Sequence, residues 1–171
     1  VPDKELLGRV AIISALANIG VQSLHVKRII LTHHHYDHVG SVWELKRRTG
    51  AQVVAHHRDA EYISSQRQRR APRQFSGRLL FGLINLLGAR NVHGVQVDRR
   101  VQDGETVGKF TVVHTPGHTP GHLCLLREGL LFSGDLLNAK AGAFDETPHV
   151  FTADVPTARL SIRKVAELKF D

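Results

Sequence analysis

Apolar residues recur at helical spacing in the first part of the chain and then collect in short runs separated by polar loops. Residues 4–18 carry aliphatic side chains along one helical face, and Gly20 is placed to end that helix. A second helix is predicted over 41–49, closed by Gly50. Strands are predicted at 28–31, 52–55, 110–114 and 130–132. This alternation indicates an α/β layered fold rather than a helix bundle or an all-β sandwich.

The last predicted helix lies close to the end of the chain. Asp154 is a residue of the kind that caps a helix N-terminus, and Pro156 suits the first helical turn. Leu160, Val165 and Leu168 are expected on one packed side of this helix. The pattern therefore predicts a capped amphipathic helix as the final element.

The composition is typical of a single globular domain covering residues 1–171. An apolar fraction of 42% over 171 residues allows a sizeable core. The only cysteine, Cys124, excludes an internal disulfide and a thiolate metal cluster, and it is expected in a buried strand. No run approaches the ~20 apolar residues that cross a bilayer, and the first residues lack a secretory signal pattern. Cytoplasmic location is therefore the default expectation.

Excess positive charge is concentrated between residues 58 and 100. This segment contains nine arginines and three acidic residues, which accounts for +6 of the net charge of +7. This segment is either a solvated, basic helical insertion or a surface for a polyanion such as nucleic acid. Within it, residues 78–88 are apolar almost all round, so a helix there needs cover. This helix would pack as a lid over the metal cleft, against the second subunit of a homo-dimer, or in the core.

The densest chemistry of the chain follows the first predicted strand. Residues 32–40 read Thr-His-His-His-Tyr-Asp-His-Val-Gly. Alternate side chains of an extended segment project to one side, so His33, His35 and Asp37 can converge while the residues between them point away. A turn then brings His38 round to join them. Imidazole and carboxylate are zinc ligands, and one ion cannot take all four groups and keep an open position. The spacing therefore predicts two adjacent ions.

Two further segments supply metal-ligating groups. Residues 115–122 read Thr-Pro-Gly-His-Thr-Pro-Gly-His, and this turn offers His118 with little side-chain bulk around it. Asp135 follows an apolar strand, where a carboxylate can bridge two cations. The predicted metal ligands are therefore His33, His35, Asp37, His38, His118 and Asp135.

The order of these motifs resembles that of the metallo-β-lactamase superfamily of hydrolases, and the resemblance covers nearly the whole chain. It implies an αββα sandwich. It also assigns the ligands: His33, His35 and His118 to one metal, Asp37 and His38 to the second, and Asp135 to the bridging position. The family's first strands and its last ligand-bearing strand are not recognisable, and the chain contains no methionine. We therefore expect a fold of this kind that is incomplete at both ends.

The resemblance further implies an enzyme that hydrolyses a small-molecule substrate. A hydroxide held between two zinc ions, with iron or manganese as other candidate metals, would attack a small ester, thioester or lactone. Asp37 or Asp135 would accept the proton released at the attack. The motifs are both glyoxalase II-like and lactonase-like. However, residues 136–138 read Leu-Leu-Asn where the lactonases carry a tyrosine.

Three other functions use parts of the same pattern. A mononuclear iron sulfur-dioxygenase would need His33, His118 and Asp135, since a facial triad suits Fe(II). A metal-dependent ribonuclease would combine the dinuclear site with the arginine-rich segment. A non-catalytic metal-binding fragment would hold the second ion weakly. Metal analysis and hydrolysis assays discriminate between these functions.

The remaining histidines carry weaker expectations. Structural or solvent-facing positions are expected for His25, His93 and His114. His122 is at most a neighbour of the ligands. An approach to the cleft is expected for His56, His57 and His149. We also hypothesise that His149 replaces the last metal ligand of the family.

Overall fold

Apart from the helix expected at 78–88, the helices and strands indicated by the apolar pattern are present in the computed structural model, which describes residues 4–64, 93–140 and 143–170. The described helices are α1 (Lys4–Asn18), α2 (Tyr36–Val39), α3 (Val42–Thr49), α4 (His57–Ile63) and α5 (Val155–Ala166). The described strands are β1 (Arg28–Ile30), β2 (Gln52–His56), β3 (Arg99–Val101), β4 (Thr106–Val107), β5 (Phe110–His114), β6 (Leu123–Arg127), β7 (Leu130–Phe132), β8 (Leu137–Lys140) and β9 (Ala143–Glu146). Single 3-10 turns cover Ser23–His25, Gly134–Leu136 and His149–Phe151.

The strands form two sheets and a hairpin. β1, β2 and β3 lie side by side in that order and run parallel, with Ile30 opposite Val54 and His56 opposite Val101. β4, β5, β6 and β7 form an antiparallel meander, and β8 pairs with β9. The central strand of a parallel sheet is covered on both faces, which explains the unbroken buried run at positions 53–55 of β2.

Three apolar clusters join the layers. The first packs the parallel sheet against its helices: Leu31, Val39, Val42, Val53, Ala55, Ile63 and Val95. The second fills the space between the sheets: Val54, Val101, Val107, Val112, Leu123 and Leu125. The third packs the antiparallel sheet against α5: Val113, Cys124, Leu136 and Val165. Successive side chains of a strand point to opposite faces, so one strand serves two clusters. The layers are therefore helix, sheet, sheet and helix, which is the predicted αββα sandwich.

Helix α5 begins as predicted, but its packed side differs from the prediction. The Asp154 carboxylate accepts a hydrogen bond from the backbone N–H of Thr157 at 3.2 Å, and Val165 is buried. The prediction was wrong for Leu160, which is 62% exposed. The buried positions are 158, 161 and 165, which follow the three- and four-residue spacing of one helical face, and position 160 lies outside that face.

The expected basic insertion falls largely on residues 65–92, outside the described residues. The helix predicted at 78–88 and its contact with a second subunit lie there as well, so both stay predictions. The two described ends of the 58–100 segment contribute to the core, because Ala60 and Ile63 of α4 and Val95 before β3 are buried. None of the described helices is long and apolar enough to cross a bilayer.

Candidate metal centre

The six predicted ligands lie on three connections at one edge of the sandwich. The 32–38 loop leaves β1 and runs into α2, the 115–122 turn joins β5 to β6, and Asp135 lies in the 3-10 turn after β7. The 32–38 loop is tied to both sheets. The Leu31 backbone N–H donates to Val54 and that of Leu123 donates to Thr32, each at 2.9 Å. The pairing of the two sheets therefore places these connections side by side.

Four ligand atoms converge in a buried group. One from each of His33, His35, His118 and Asp135 lies within 4.8 Å of the others. Nε2 of His118 is 2.9 Å from Nδ1 of His35 and 3.5 Å from Oδ2 of Asp135, and Nε2 of His33 is 3.8 Å from that oxygen. Tetrahedral ligands about 2.0–2.2 Å from zinc are roughly 3.3–3.6 Å apart. The spacing of these four groups therefore suits one ion.

A second group lies beside the first and is more open. Ligand atoms of Asp37, His38 and Asp135 also lie within 4.8 Å of one another. Nε2 of His38 is 3.2 Å from Oδ1 of Asp135 and 3.8 Å from Oδ2 of Asp37. Asp135 therefore offers one oxygen to each group. The structure brings together all six predicted ligands, and their binding of metal stays a prediction.

His33 has the surroundings expected of a metal ligand. The residue is fully buried, and its Nε2 has no hydrogen-bond partner within the described part of the chain. Its Nδ1 lies 3.1 Å from the hydroxyl of Thr32. A buried polar atom without a partner costs about 1–3 kcal/mol, which a bound cation would remove. The donor set therefore fits a divalent ion.

Burial determines the protonation of the two groups differently. Burial, followed by the neighbouring imidazoles, lowers the pKa of His33 far below its usual range, and burial lowers the pKa of His118 to about 4. Neutral imidazole is the metal-binding form, so the buried group is ready for an ion at neutral pH. In the open group, the contact with Asp135 raises the pKa of His38 and lowers the pKa of Asp135.

Helix α5 supports the 115–122 turn at close range. The backbone N–H of Asp154 donates to Gly117 at 2.8 Å, and the Ser161 hydroxyl donates to Pro116 at 2.7 Å. Gly117 has a φ of 133°, and a Cβ there would lie 2.2 Å from the backbone nitrogen of Ala158. Only glycine allows the turn to approach the helix this closely. The capped helix therefore sets the position of His118.

Comparison with known proteins agrees with this geometry. The family model described as the metallo-beta-lactamase superfamily matches residues 3–171. The chain belongs to this superfamily. It is 29% identical to the probable metallo-hydrolase YflN of Bacillus subtilis over 167 residues, or 86% of this chain and 62% of that protein. It is 33% identical to a hydroxyacylglutathione hydrolase of Methylobacillus flagellatus over 132 residues, or 76% of this chain and 42% of that protein.

Solved structures of the superfamily share the fold. A metallo-beta-lactamase from Cronobacter sakazakii with a mutated HARLDQ motif superposes with a TM-score of 0.65 at 25% identity, covering 94% of this chain and 61% of that one. TTHA1623, crystallised in a di-iron-bound form, gives a TM-score of 0.66 at 26% identity, covering 93% and 71%. This chain thus spans about two fifths to three fifths of the length of the two curated relatives.

Asp59 is a buried residue beside the candidate metal centre that the sequence pattern did not reveal. It was counted only as a charge of the arginine-rich segment, yet it is fully buried in α4. Its Oδ2 is 2.9 Å from Nδ1 of His34, whose ring points away from the metal ligands as predicted and stacks on Tyr62. The available signal was local: position 59 stands in the first turn of a helix that also carries Ala60, Tyr62 and Ile63.

The other histidines surround the centre without joining either ligand group. His122 is fully buried, and its Nε2 accepts the backbone N–H of Asp135 at 3.1 Å, so it supports that ligand as a neighbour. His149 lines a small cavity shared with His118 and Asp135, and its Nε2 lies 2.7 Å from Glu146. Its role as a replacement ligand therefore stays a hypothesis.

Two of the remaining predictions concern the side of the fold next to the 115–122 turn. His56 and His114 stack with ring centroids 3.9 Å apart and planes 8° apart. His114 is structural, as predicted, because its Nε2 lies 3.1 Å from the Pro120 carbonyl. His56 is buried in this stack. His56 was expected to approach the cleft, and its ring instead contacts His114 of β5.

Proposed function

We propose that this protein is a metallo-hydrolase that uses two divalent ions to cleave a small thioester, ester or lactone. The observation that carries the proposal is the pair of ligand groups that share Asp135. His33, His35 and His118 would hold one ion, and Asp37 and His38 the other. Bound ions at such a site supply an activated water at neutral pH and stabilise the negative charge that develops on the substrate.

The residues of the chain divide the remaining work. Asp135 has both oxygens directed at histidines, at 3.2 Å from His38 and 3.5 Å from His118, so it is suited to a fixed bridging position. The Asp37 side chain is 56% exposed and is therefore better placed to accept the proton of an attacking water and pass it to solvent. Asp37 is our candidate proton acceptor, with Asp135 as the alternative.

Zinc is the metal we propose, and iron is the competing candidate. Imidazole and carboxylate groups at these distances suit either ion. The di-iron form of TTHA1623 supports iron as the alternative. A mononuclear iron dioxygenase is less well supported, because His35 joins the buried group and Asp37 and His38 form a second group beside it.

Thioesters are the first substrate class to test. Hydroxyacylglutathione hydrolases of Methylobacillus flagellatus and Photobacterium profundum are 33% and 30% identical to this chain over 132 and 120 residues. The matched part covers 76% and 68% of this chain. The likeness therefore supports acyl transfer from sulfur or oxygen to water, and the leaving group stays open.

The test is metal analysis followed by a hydrolysis screen. Protein purified without added metal would be assayed by elemental mass spectrometry and then offered a hydroxyacyl thioester, an aryl ester and an acyl lactone. We expect two ions per chain and hydrolysis of at least one substrate, lost in His118→Ala. Two bound ions with no hydrolysis of any substrate would overturn the proposal.

The same screen separates the remaining candidates. A single iron with oxygen uptake in the presence of a persulfide would favour the dioxygenase. Cleavage of an RNA phosphodiester with no cleavage of esters would favour the ribonuclease, which would also use the arginine-rich segment. One tightly held ion, a second lost on mild chelation and no turnover would favour a metal-binding fragment.

A further inference from the structure

One buried carboxylate links the two loops that carry the histidines of the buried ligand group. Asp59 lies in α4 and is fully buried. Its Oδ2 accepts the backbone N–H of His34 at 3.1 Å and the hydroxyl of Thr119 at 2.7 Å. Its Oδ1 accepts the backbone N–H of Gly121 at 2.7 Å. Both oxygens are therefore engaged, one with both loops and one with the 115–122 turn.

The anchored groups are immediate neighbours of the predicted ligands. His34 stands between His33 and His35, and Thr119 follows His118. Asp59 therefore holds each of these three imidazoles at a distance of one residue. A shift of either loop relative to the other would stretch a hydrogen bond to the same carboxylate.

The contact is close enough to depend on shape. A Cβ at position 121 would lie 2.6 Å from both the backbone nitrogen and Oδ1 of Asp59. The His34 ring stacks on Tyr62 of the same helix, with centroids 4.5 Å apart and planes 16° apart. Helix α4 therefore offers the two loops a rigid surface as well as a charge.

The charge of Asp59 is stabilised in its buried position. Burial alone raises the pKa of this carboxyl, but His34, Thr119 and Gly121 together lower the pKa below its usual value. Hydrogen bonds to a charged group are worth about 1.5–3 kcal/mol each, roughly twice those between neutral groups. An ionised Asp59 therefore holds the loops more strongly than a neutral amide would.

We propose that Asp59 is a positioning residue that sets the spacing between the 32–38 loop and the 115–122 turn, so that His33, His35 and His118 converge before an ion binds. The inference rests on the metal centre of the proposed function and does not require hydrolysis. Removing a residue that hydrogen-bonds to a metal ligand typically lowers the metal affinity by about 10–100-fold. Asp59 acts one residue further out and through three donors, so we expect a loss in the same range.

The experiment measures metal binding by the metal-free protein. Wild type and Asp59→Asn would be stripped with a chelator and titrated with Co²⁺, whose visible absorption reports the ligand geometry. We expect Asp59→Asn to bind the first Co²⁺ about 10–100-fold more weakly and with an altered spectrum. Circular dichroism of the metal-free proteins checks that the fold is retained.

Asp98→Asn is the matched control. The Asp98 carboxylate accepts the backbone N–H of Val53 at 2.8 Å and the ammonium of Lys46 at 2.7 Å. Asp98 therefore anchors β2 of the parallel sheet, but its described contacts include neither the 32–38 loop nor the 115–122 turn. We expect this variant to lose thermal stability and to bind Co²⁺ as the wild type does. Equal Co²⁺ affinities for Asp59→Asn and Asp98→Asn would overturn the proposal.

A second pair of variants covers the case in which Asp59→Asn does not fold. Thr119→Val removes one donor to Asp59, whereas Thr119→Ser keeps the hydroxyl. We expect weaker Co²⁺ binding only in Thr119→Val, and equal affinity in both variants would contradict the role of Asp59. Wild-type protein that binds no Co²⁺ would overturn this inference together with the metal centre. Tight Co²⁺ binding without hydrolysis would overturn the hydrolase alone.

Discussion

The two halves of the candidate metal centre differ in burial and in protonation, although they share Asp135. The buried half, His33, His35 and His118, is enclosed by the sandwich, and the side chains of His33 and His118 are 0% and 2% exposed. The open half consists of Asp37 and His38 on the short helix α2. Their side chains are 56% and 30% exposed.

The difference in burial has a direct chemical consequence. Burial lowers the pKa of His33 and His118, so no proton competes with an ion at these two imidazoles at neutral pH. The contact with Asp135 raises the pKa of His38, so a proton competes with an ion for this imidazole up to a higher pH than for an ordinary histidine. The fold thus keeps the enclosed His33 and His118 neutral before an ion binds, whereas an ion has to compete with a proton at the more exposed His38. We expect the first ion to bind in the buried half.

The largest expected effect is that of removing a ligand from the buried half. His118→Ala deletes a side chain that faces both His35 and Asp135, at 2.9 and 3.5 Å. We expect the affinity for the first ion to fall by more than the roughly 10–100-fold that loss of an outer partner costs. Elemental mass spectrometry after dialysis would check the loss of bound metal.

Asp37→Asn is the matched variant in the open half. It removes a charge from an exposed ligand and leaves the three buried imidazoles in place. We expect this protein to keep one ion and to lose the second. If His118→Ala and Asp37→Asn released the same ion first, the assignment of the tighter site to the buried half would be wrong.

A smaller effect is expected from pH, and it concerns the open half. Asp135 and Asp37 raise the pKa of His38 above its ordinary value of 6.5, against the effect of burial. The protonated form of His38 therefore becomes more populated as the pH falls. Below that pKa, the affinity for the second ion should fall by about tenfold per pH unit, because one proton is displaced for each ion bound. Metal titrations at pH 8, 7 and 6 would measure this slope.

The buried half should respond differently to the same titrations. The pKa of His118 is lowered to about 4, so His118 is neutral over the whole range from pH 8 to 6. We therefore expect an almost constant affinity for the first ion. Equal pH slopes for both ions in the wild type would contradict the comparison.

The smallest expected effect comes from the helix that supports the buried half. Gly117→Ala would place a Cβ 2.2 Å from the backbone nitrogen of Ala158, so α5 or the 115–122 turn has to move. Overpacking of this kind costs about 1–3 kcal/mol. We expect the free energy of unfolding in urea to fall by this amount and by the cost of an alanine at positive φ, with a several-fold loss in affinity for the first ion and little change for the second.

Gly104→Ala is the control for backbone strain. Gly104 also has a positive φ, 77°, but a Cβ there would meet nothing within 4 Å. This variant should therefore lose only the cost of the left-handed conformation, about 1–2 kcal/mol, and bind both ions normally. Equal metal affinities in the two alanine variants would show that the approach of α5 does not position His118.

Local patterns were sufficient to predict α1, α3 and α5, the strands β1, β2, β5 and β7, and the six candidate ligands. Gly50 ends α3 in a left-handed conformation and Asp154 caps α5, and both signals depend only on neighbouring residues. Alternation along the 32–38 loop likewise separates His33 and His35 from His34 without knowledge of the fold. Leu160 was predicted on the wrong face, because the sequence allows more than one apolar face for this helix. Packing against the antiparallel sheet determines which face is buried.

The sequence by itself determined the alternation of helices and strands and the side chains that are candidate metal ligands, because periodicity, capping and ligand spacing act over a few residues. The αββα arrangement was implied only by the resemblance to the superfamily. Only the tertiary structure decided which ligands are buried and what holds them. Asp59 lies 25 residues from His34 and 60 and 62 residues from Thr119 and Gly121, so no local pattern relates them. Burial and hydrogen bonding depend on which distant segments meet, and that meeting is a property of the assembled sandwich.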